Sequence, residues 1–209
     1  MMKGVIYCCC FFLFSINCIA QTSAVTSNGD EVVLYNDGTW KYVNKTAEES
    51  TEIKTNKTEF VKDKDATFLV KSTVAQFGIY INPKKWSFTK SKEAGEYEFQ
   101  LKGMDAYGLL LPERAEIPLT SLKFVAVSNA KKVAPDLEVV KEEYRTVNGI
   151  KVLCLQMEGT VQGIKFSYFG YYYSSEKGTI QLLTYTAKNL FKEYQPELET
   201  FLNGFVAIK

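Results

Sequence analysis

Apolar and polar positions divide the 209-residue chain into segments of distinct character. The opening stretch, MMKGVIYCCCFFLFSINCIA, carries one charge, Lys3, followed by an apolar run from Val5 to about Phe14. Residues 29–43, GDEVVLYNDGTWKYV, set two short β-prone runs around Asn36-Asp37-Gly38, the turn chemistry of a β-hairpin. From Asn44 to Ala66 the apolar pattern fades. Eleven of these 23 residues are charged and Phe60 is the only aromatic, so the segment reads as a flexible tether.

Residues 67–209 carry the periodicities of a folded domain. Phe77 to Ile81 reads as a strand stopped by Pro83, which lacks a ladder N–H. Glu96 to Gly103 alternates as a half-buried strand does, and Tyr107 to Leu111 is apolar enough for a central one. Leu122, Val125, Ala126, Ala130 and Val133 keep helical spacing over 121–132, with Thr120 placed to cap and Pro135 to stop the helix. Four strands follow at 138–147, 150–159, 163–173 and 179–186, the first pair joined by Asn148-Gly149. From Thr186 onward Leu190, Phe191, Tyr194, Leu198, Phe201, Leu202 and Phe205 form one apolar stripe, with Pro196 expected to break or restart the helix.

Strands joined by tight turns are antiparallel. The 163–173 strand is apolar on both faces, Ile164, Phe166, Tyr168 and Tyr172 on one and Phe169, Tyr171 and Tyr173 on the other. A sheet of that kind needs cover on both sides. The expected fold class is therefore α+β, an antiparallel sheet covered by helices on both faces in an α/β/α sandwich. The expected organisation is 1–20 signal peptide, 21–43 N-terminal segment with its hairpin, 44–66 linker and 67–209 main domain.

The order of these elements, Tyr80-Ile81-Asn82-Pro83-Lys84-Lys85-Trp86 and the Thr146-Val147-Asn148-Gly149 turn together resemble the Mog1/PsbP-like superfamily over about 140 residues. That group includes DcrB-type bacterial envelope proteins, photosystem lumen proteins and a nuclear-transport partner of a GTPase. The resemblance implies a non-enzymatic adaptor and supplies no catalytic residues, and its relatives bind unrelated partners. The N-terminal hairpin resembles an addition common in secreted proteins of Bacteroidetes-like bacteria.

Compartment follows from the first twenty residues. Lys3, the short apolar run and Cys18-Ile19-Ala20 before Gln21 have the three-part grammar of a secretory signal peptide. The apolar stretch falls short of the roughly 20 residues a membrane span needs, so none is expected after cleavage. Export to the periplasm or the extracellular space is the expectation, with a lipoprotein anchored through Cys18 as the minor alternative. Cleavage leaves Cys154 as the single cysteine, so no intramolecular disulfide is available.

Charge narrows the partners. With 25 Lys+Arg against 24 Asp+Glu the net charge is +1, which gives no electrostatic argument for nucleic acid. There is no histidine, which removes imidazole acid-base chemistry, His-based nucleophile systems and His metal ligands. Glu113, Glu116, Asp136, Glu138, Glu142 and Glu143 are carboxylates whose convergence the sequence leaves open, although Glu142 and Glu143 must point to opposite faces of one strand. No calcium loop and no phosphate-cradling glycine loop is present, Gly159 to Gly163 reading as a turn. No cofactor, metal or catalytic residue is assigned. Cys154, between Leu153 and Leu155, reads as a small core residue. Only two arginines occur, Arg114 and Arg145; surface pairing with Glu113, Glu116 or Glu143 is the plain reading of both. Trp40 reads as a hairpin anchor and Trp86 as a core plug.

Arg114, Tyr171 and Tyr173 are the candidate partner-binding residues, the arginine for its bidentate donors and the tyrosines for their hydroxyls. The expected function is an exported, non-enzymatic binding or adaptor domain of the bacterial envelope with a protein partner. The alternative is a domain holding a small molecule or glycan in a Tyr-lined pocket between sheet and helix.

Overall fold

The computed structural model describes residues 22–26, 31–36, 39–43, 53–92 and 95–208; the proposed signal peptide lies outside them. Three strands, β1 (Thr22–Val25), β2 (Glu31–Leu34) and β3 (Trp40–Tyr42), make a small antiparallel sheet. The expected hairpin is its β2–β3 half, pairing Val32 with Tyr42 and Leu34 with Trp40. Trp40 does not anchor it by burial: the indole is exposed and meets Tyr42 edge-on.

The main sheet takes its first strand from the segment read as a tether. β4 (Thr55–Phe60) pairs in parallel with β10 (Glu138–Val147). The strand was hidden because its side chains are mostly polar and exposed. Backbone bonds hold it, with Tyr144 N–H donating to the Lys54 carbonyl and Asn148 N–H to that of Phe60. The main domain therefore begins at about residue 53 rather than 67, and residues 44–52 lie outside those described.

Beyond β4 come β5 (Phe68–Lys71), β6 (Phe77–Ile81), β7 (Trp86–Lys90), β8 (Tyr97–Leu101), β9 (Ala106–Glu113) and α1 (Leu119–Lys131). After β10 follow β11 (Ile150–Val161), β12 (Ile164–Ser175), β13 (Gly178–Ala187), α2 (Lys188–Leu202) and β14 (Phe205–Ala207). The eight-stranded sheet runs β4-β10-β11-β12-β13-β9-β8-β7, and β14-β6-β5 forms a third, small sheet. The four-strand meander expected from tight turns is β10 to β13. Asn148 and Gly149 take φ of 49° and 78°, and Gln162 and Gly163 take 51° and 82°, the left-handed pairs such two-residue hairpins require. Gly159 is thus no turn residue. It sits inside β11, where an added Cβ would come within 3.0 Å of Ala134.

Both helices differ in detail from expectation. The cap of α1 is Pro118, whose carbonyl accepts from the Ser121 and Leu122 N–H groups, so Thr120 falls inside the first turn. The α2 helix runs unbroken through Pro196. Pro196 and Lys192, whose carbonyl loses its usual donor, are both exposed, so water can satisfy the freed oxygen.

Two apolar clusters form the interior. Phe191, Leu198, Phe201 and Leu202 of α2 pack with Phe77, Ile79, Trp86, Phe99, Phe169, Tyr171 and Phe205. Leu122 and Ala126 of α1 pack with Leu153, Leu155, Met157 and Tyr172. The alternation of Phe169, Tyr171 and Tyr173 against Tyr168 and Tyr172 is therefore observed. Helical cover of the α1 face is partial. That helix packs on β11 and β12, whereas Glu98 and Gln100 on the same face of β8 are exposed. A helix about 10 Å wide spans roughly two strands at ~4.8 Å spacing, and this sheet has eight.

Candidate functional site

The Asn82–Trp86 turn builds one wall of a surface recess. Asn82 folds the turn locally: its side-chain oxygen accepts from the Lys84 N–H, and its carbonyl accepts from the N–H groups of Lys85 and Trp86. Trp86 then enters the core, stacking on Phe201 at 4.1 Å and donating its indole N–H to Glu197 at 3.2 Å. The core-plug reading of Trp86 holds, and its polar edge fixes where α2 passes the turn.

Two recesses share this junction. A polar one of about 150 Å3 lies among Asp63, Asp65, Tyr80, Asn82 and Thr200. A larger groove of about 390 Å3 has Leu101, Met104 and Tyr194 along it and Lys84, Lys102 and Glu193 at its rim. Lys85 and Glu197 line both recesses and pair with each other. The hydrogen bond to Glu197 outweighs desolvation and, with the charges of Glu197, Asp63 and Asp65, raises the Lys85 pKa above its ordinary value. Both Glu197 oxygens are engaged, one by Trp86 and one by Lys85. The groove is thus an apolar trough with charged margins, and Met104 in it is 47% exposed. That combination suits binding by contact and charge.

A second constellation lies inside. Arg145 was expected at the surface, yet it is 3% exposed. Its Nε donates to Glu143 at 2.6 Å and its Nη1 to Glu199 at 2.5 Å and to the Tyr171 hydroxyl at 3.1 Å. Its guanidinium lies 4.3 Å from the centre of the Phe60 ring. Burial alone would lower the guanidinium's pKa; Cys154, Tyr171 and Glu143 outweigh it and raise the value. Glu143 shows the converse: burial pushes its carboxyl up, but Arg145 and Asn56 hold it below the ordinary value. The group clamps β4, β10, β12 and α2 together.

This placement changes the candidate residues. Tyr171 is 1% exposed and passes its hydroxyl hydrogen to Asn203 at 2.8 Å, so it is not offered to a partner. Tyr173 packs edge-on against Phe77 and beside Phe205, as part of the core. Dense tyrosine on a strand apolar on both faces is filled by packing first. Arg114, just beyond β9, is exposed. Cys154 is buried, and desolvation, only partly countered by Arg145, pushes its thiol up to about 12. The carboxylates do not converge: Glu142 pairs with Lys123 on α1, Glu143 with Arg145, and Asp136 accepts from the Thr160 N–H and hydroxyl. Those two Thr160 bonds hold the Asp136 pKa down. Among the described residues no cluster of three or more Cys, Asp or Glu is placed to hold a metal ion.

The Asn-Gly turn contributes more than a reversal. Asn148 Oδ1 accepts from the Lys62 N–H, and its Nδ2 donates to the carbonyls of Asn203 and Phe205, all at 2.8 Å. One side chain thereby joins the end of β4, the end of α2 and β14. Sequence reasoning missed this role because the turn signal alone explains the residue.

The architecture is that of a Mog1/PsbP-like domain. Among solved structures, the solution structure of the cyanobacterial PsbP protein (CyanoP) from Synechocystis sp. PCC 6803 is similar, with a TM-score of 0.50 and 14% identity. That match covers 67% of this chain and 91% of the other. LpqN, described as involved in cell envelope biogenesis of Mycobacterium tuberculosis, matches at a TM-score of 0.48 and 11% identity over 68% of this chain and 90% of its own. A Pseudomonas aeruginosa protein of unknown function, PA94, described as a putative regulator, matches at 0.47 and 11% over 68% and 99%. No protein-family model matches the chain, and no curated protein matches it in sequence.

Proposed function

We propose that the protein is an exported, non-enzymatic binding domain of the bacterial cell envelope that holds a protein partner. The observation that carries this reading is the groove between the Asn82–Trp86 turn and α2, where exposed Met104 and half-buried Tyr194 lie over buried Leu101 in an apolar trough between charged margins. Burying Met104 and the free edge of Tyr194 gives a partner apolar contact, and the lysines and glutamates around them set its orientation. Export rests on the leader-like first twenty residues. An α/β/α sandwich, with α1 and α2 on opposite faces of the main sheet, remains our description of the framework. Arg114, exposed at the end of β9, is retained as a second contact.

Crosslinking pull-down from the source envelope tests this reading, using the protein beside Met104→Asp and Arg114→Ala copies. One stoichiometric protein captured by the original and lost with Met104→Asp is expected. Equal capture by the altered copy removes the groove, and no capture removes the adaptor reading. The groove's volume also lies within the range of small-molecule sites. It therefore favours one second reading, a metabolite or glycan held against Tyr194, which a thermal-shift screen would detect where pull-down finds nothing.

A further inference from the structure

A row of aromatic rings runs across the main sheet from β12, at the margin of α1, onto β13 and β9. Tyr168, Tyr185 and Tyr107 sit directly opposite one another on three adjacent strands, β12, β13 and β9. Tyr185 stacks on Tyr107 at 5.4 Å and 24°, and lies 5.9 Å from Tyr168. Phe166 extends the row on β12, 6.3 Å from Tyr168, and Ile164, 54% exposed, follows on the same face. All four rings are half-buried rather than enclosed. The Tyr168 and Tyr185 hydroxyls make no hydrogen bond to a described residue. The row lies apart from the α2 groove and shares no residue with it.

Among the described residues on the two register lines nearest the row, the one charged side chain between β13 and β7 is acidic. The register line through the row continues to Gln100 and Ser87, and the next line runs Leu183, Leu109, Glu98, Thr89. Neither line holds a lysine, although basic residues number 25 in the chain. Glu98 and Asp105 are the charged groups acting on the Tyr185 hydroxyl, which burial and these acids together keep protonated above its usual range. Burial raises the pKa of Tyr107, and the Asp105 carboxylate adds to that rise. Aromatic faces attract cations, and carboxylates beside them add to that attraction.

We propose that the Phe166–Tyr168–Tyr185–Tyr107 row, with Asp105 and Glu98 at its edge, is a docking strip for an extended segment of a partner protein bearing arginine or lysine. The strip is open and shallow, which suits an extended chain laid across the strands. A basic side chain stacks on the tyrosine faces with its charge toward Asp105 and Glu98, and the two unpaired hydroxyls accept or donate to its backbone. This inference rests on the binding role proposed above and names the chemistry of a partner at a different face.

Fluorescence anisotropy with a labelled hexa-arginine peptide tests it on the purified protein. Hexa-arginine binds and hexa-glutamate does not. Glu98→Gln with Asp105→Asn weakens binding about threefold to tenfold, and Tyr185→Leu, checked for an unchanged circular dichroism spectrum, does so at least as much. Glu113→Gln with Glu116→Gln, exposed acids elsewhere, leaves binding unchanged. Absence of hexa-arginine binding overturns the proposal, as does equal loss in the Glu113/Glu116 variant or displacement of the peptide by a neutral glucan oligosaccharide. A partner captured from the envelope while hexa-arginine fails to bind refutes this inference alone; peptide binding with no captured partner refutes the groove reading and leaves this strip.

Discussion

Replacing Arg145 by methionine tests the buried clamp. The substitution fills much of the same volume but removes the buried cation that bonds Glu143, which is 14% exposed, and Glu199, which is 31% exposed. Breaking a buried pair by removing one partner costs about 3–5 kcal/mol, because the other charge stays behind without compensation. Two features move the expectation to the lower end. Glu143 keeps Asn56 Nδ2 at 3.3 Å and Lys141 at 3.4 Å, and Glu199 can turn toward water. Loss of the cation over Phe60 adds to the cost. The expected destabilisation is about 3 kcal/mol, which for a chain of this size lowers Tm by roughly 6–12 °C. Urea unfolding followed by tryptophan fluorescence measures it, and adding Glu143→Gln should recover part of the loss. The pH dependence gives a second check. Glu143 has a folded pKa below its ordinary 4.5, so its contribution is present above that value and is lost as pH falls through the folded pKa. In the methionine variant burial acts on Glu143 without Arg145, so the gap between the two proteins narrows below about pH 4.5. A loss under about 1 kcal/mol at neutral pH would refute the argument that Arg145 holds four elements together.

Two further outcomes follow from the same geometry. Asn148→Asp keeps the acceptor for Lys62 but removes both donors and sets a carboxylate against the Asn203 and Phe205 carbonyls; unfolding should show a loss of about 2–4 kcal/mol, and Asn148→Gly, which keeps the left-handed backbone, should lose less. Cys154, buried with its thiol pushed up to about 12, should resist a thiol reagent at pH 8 in the folded protein and react at the rate of unfolding when urea is added; prompt labelling of the native protein would contradict its burial.

The sequence legible on its own was the part in which local chemistry and burial agree. Asn148-Gly149 specified the hairpin because only residues tolerant of positive φ form that turn. The alternation in β8 and the two apolar faces of β12 were read correctly because strand period alone assigns faces. Trp86 was legible as core because a large apolar ring beside a turn has few other places to go. Composition also settled what chemistry was missing, since a chain without histidine cannot supply imidazole.

Tertiary structure decided what depends on partners distant in sequence. β4 has a charged, tether-like composition, and only the free edge of β10 makes it a strand. Arg145 and Arg114 look alike along the chain, yet Glu199, Tyr171 and Phe60 bury one while the other stays in solvent. Tyr171 and Tyr185 are similar residues on neighbouring strands. One is sealed beneath α2 and hydrogen-bonded to Asn203, and the other is left half open because a single helix covers about two strands of the opposite face. Period tells which face a side chain takes; only packing tells whether anything covers that face.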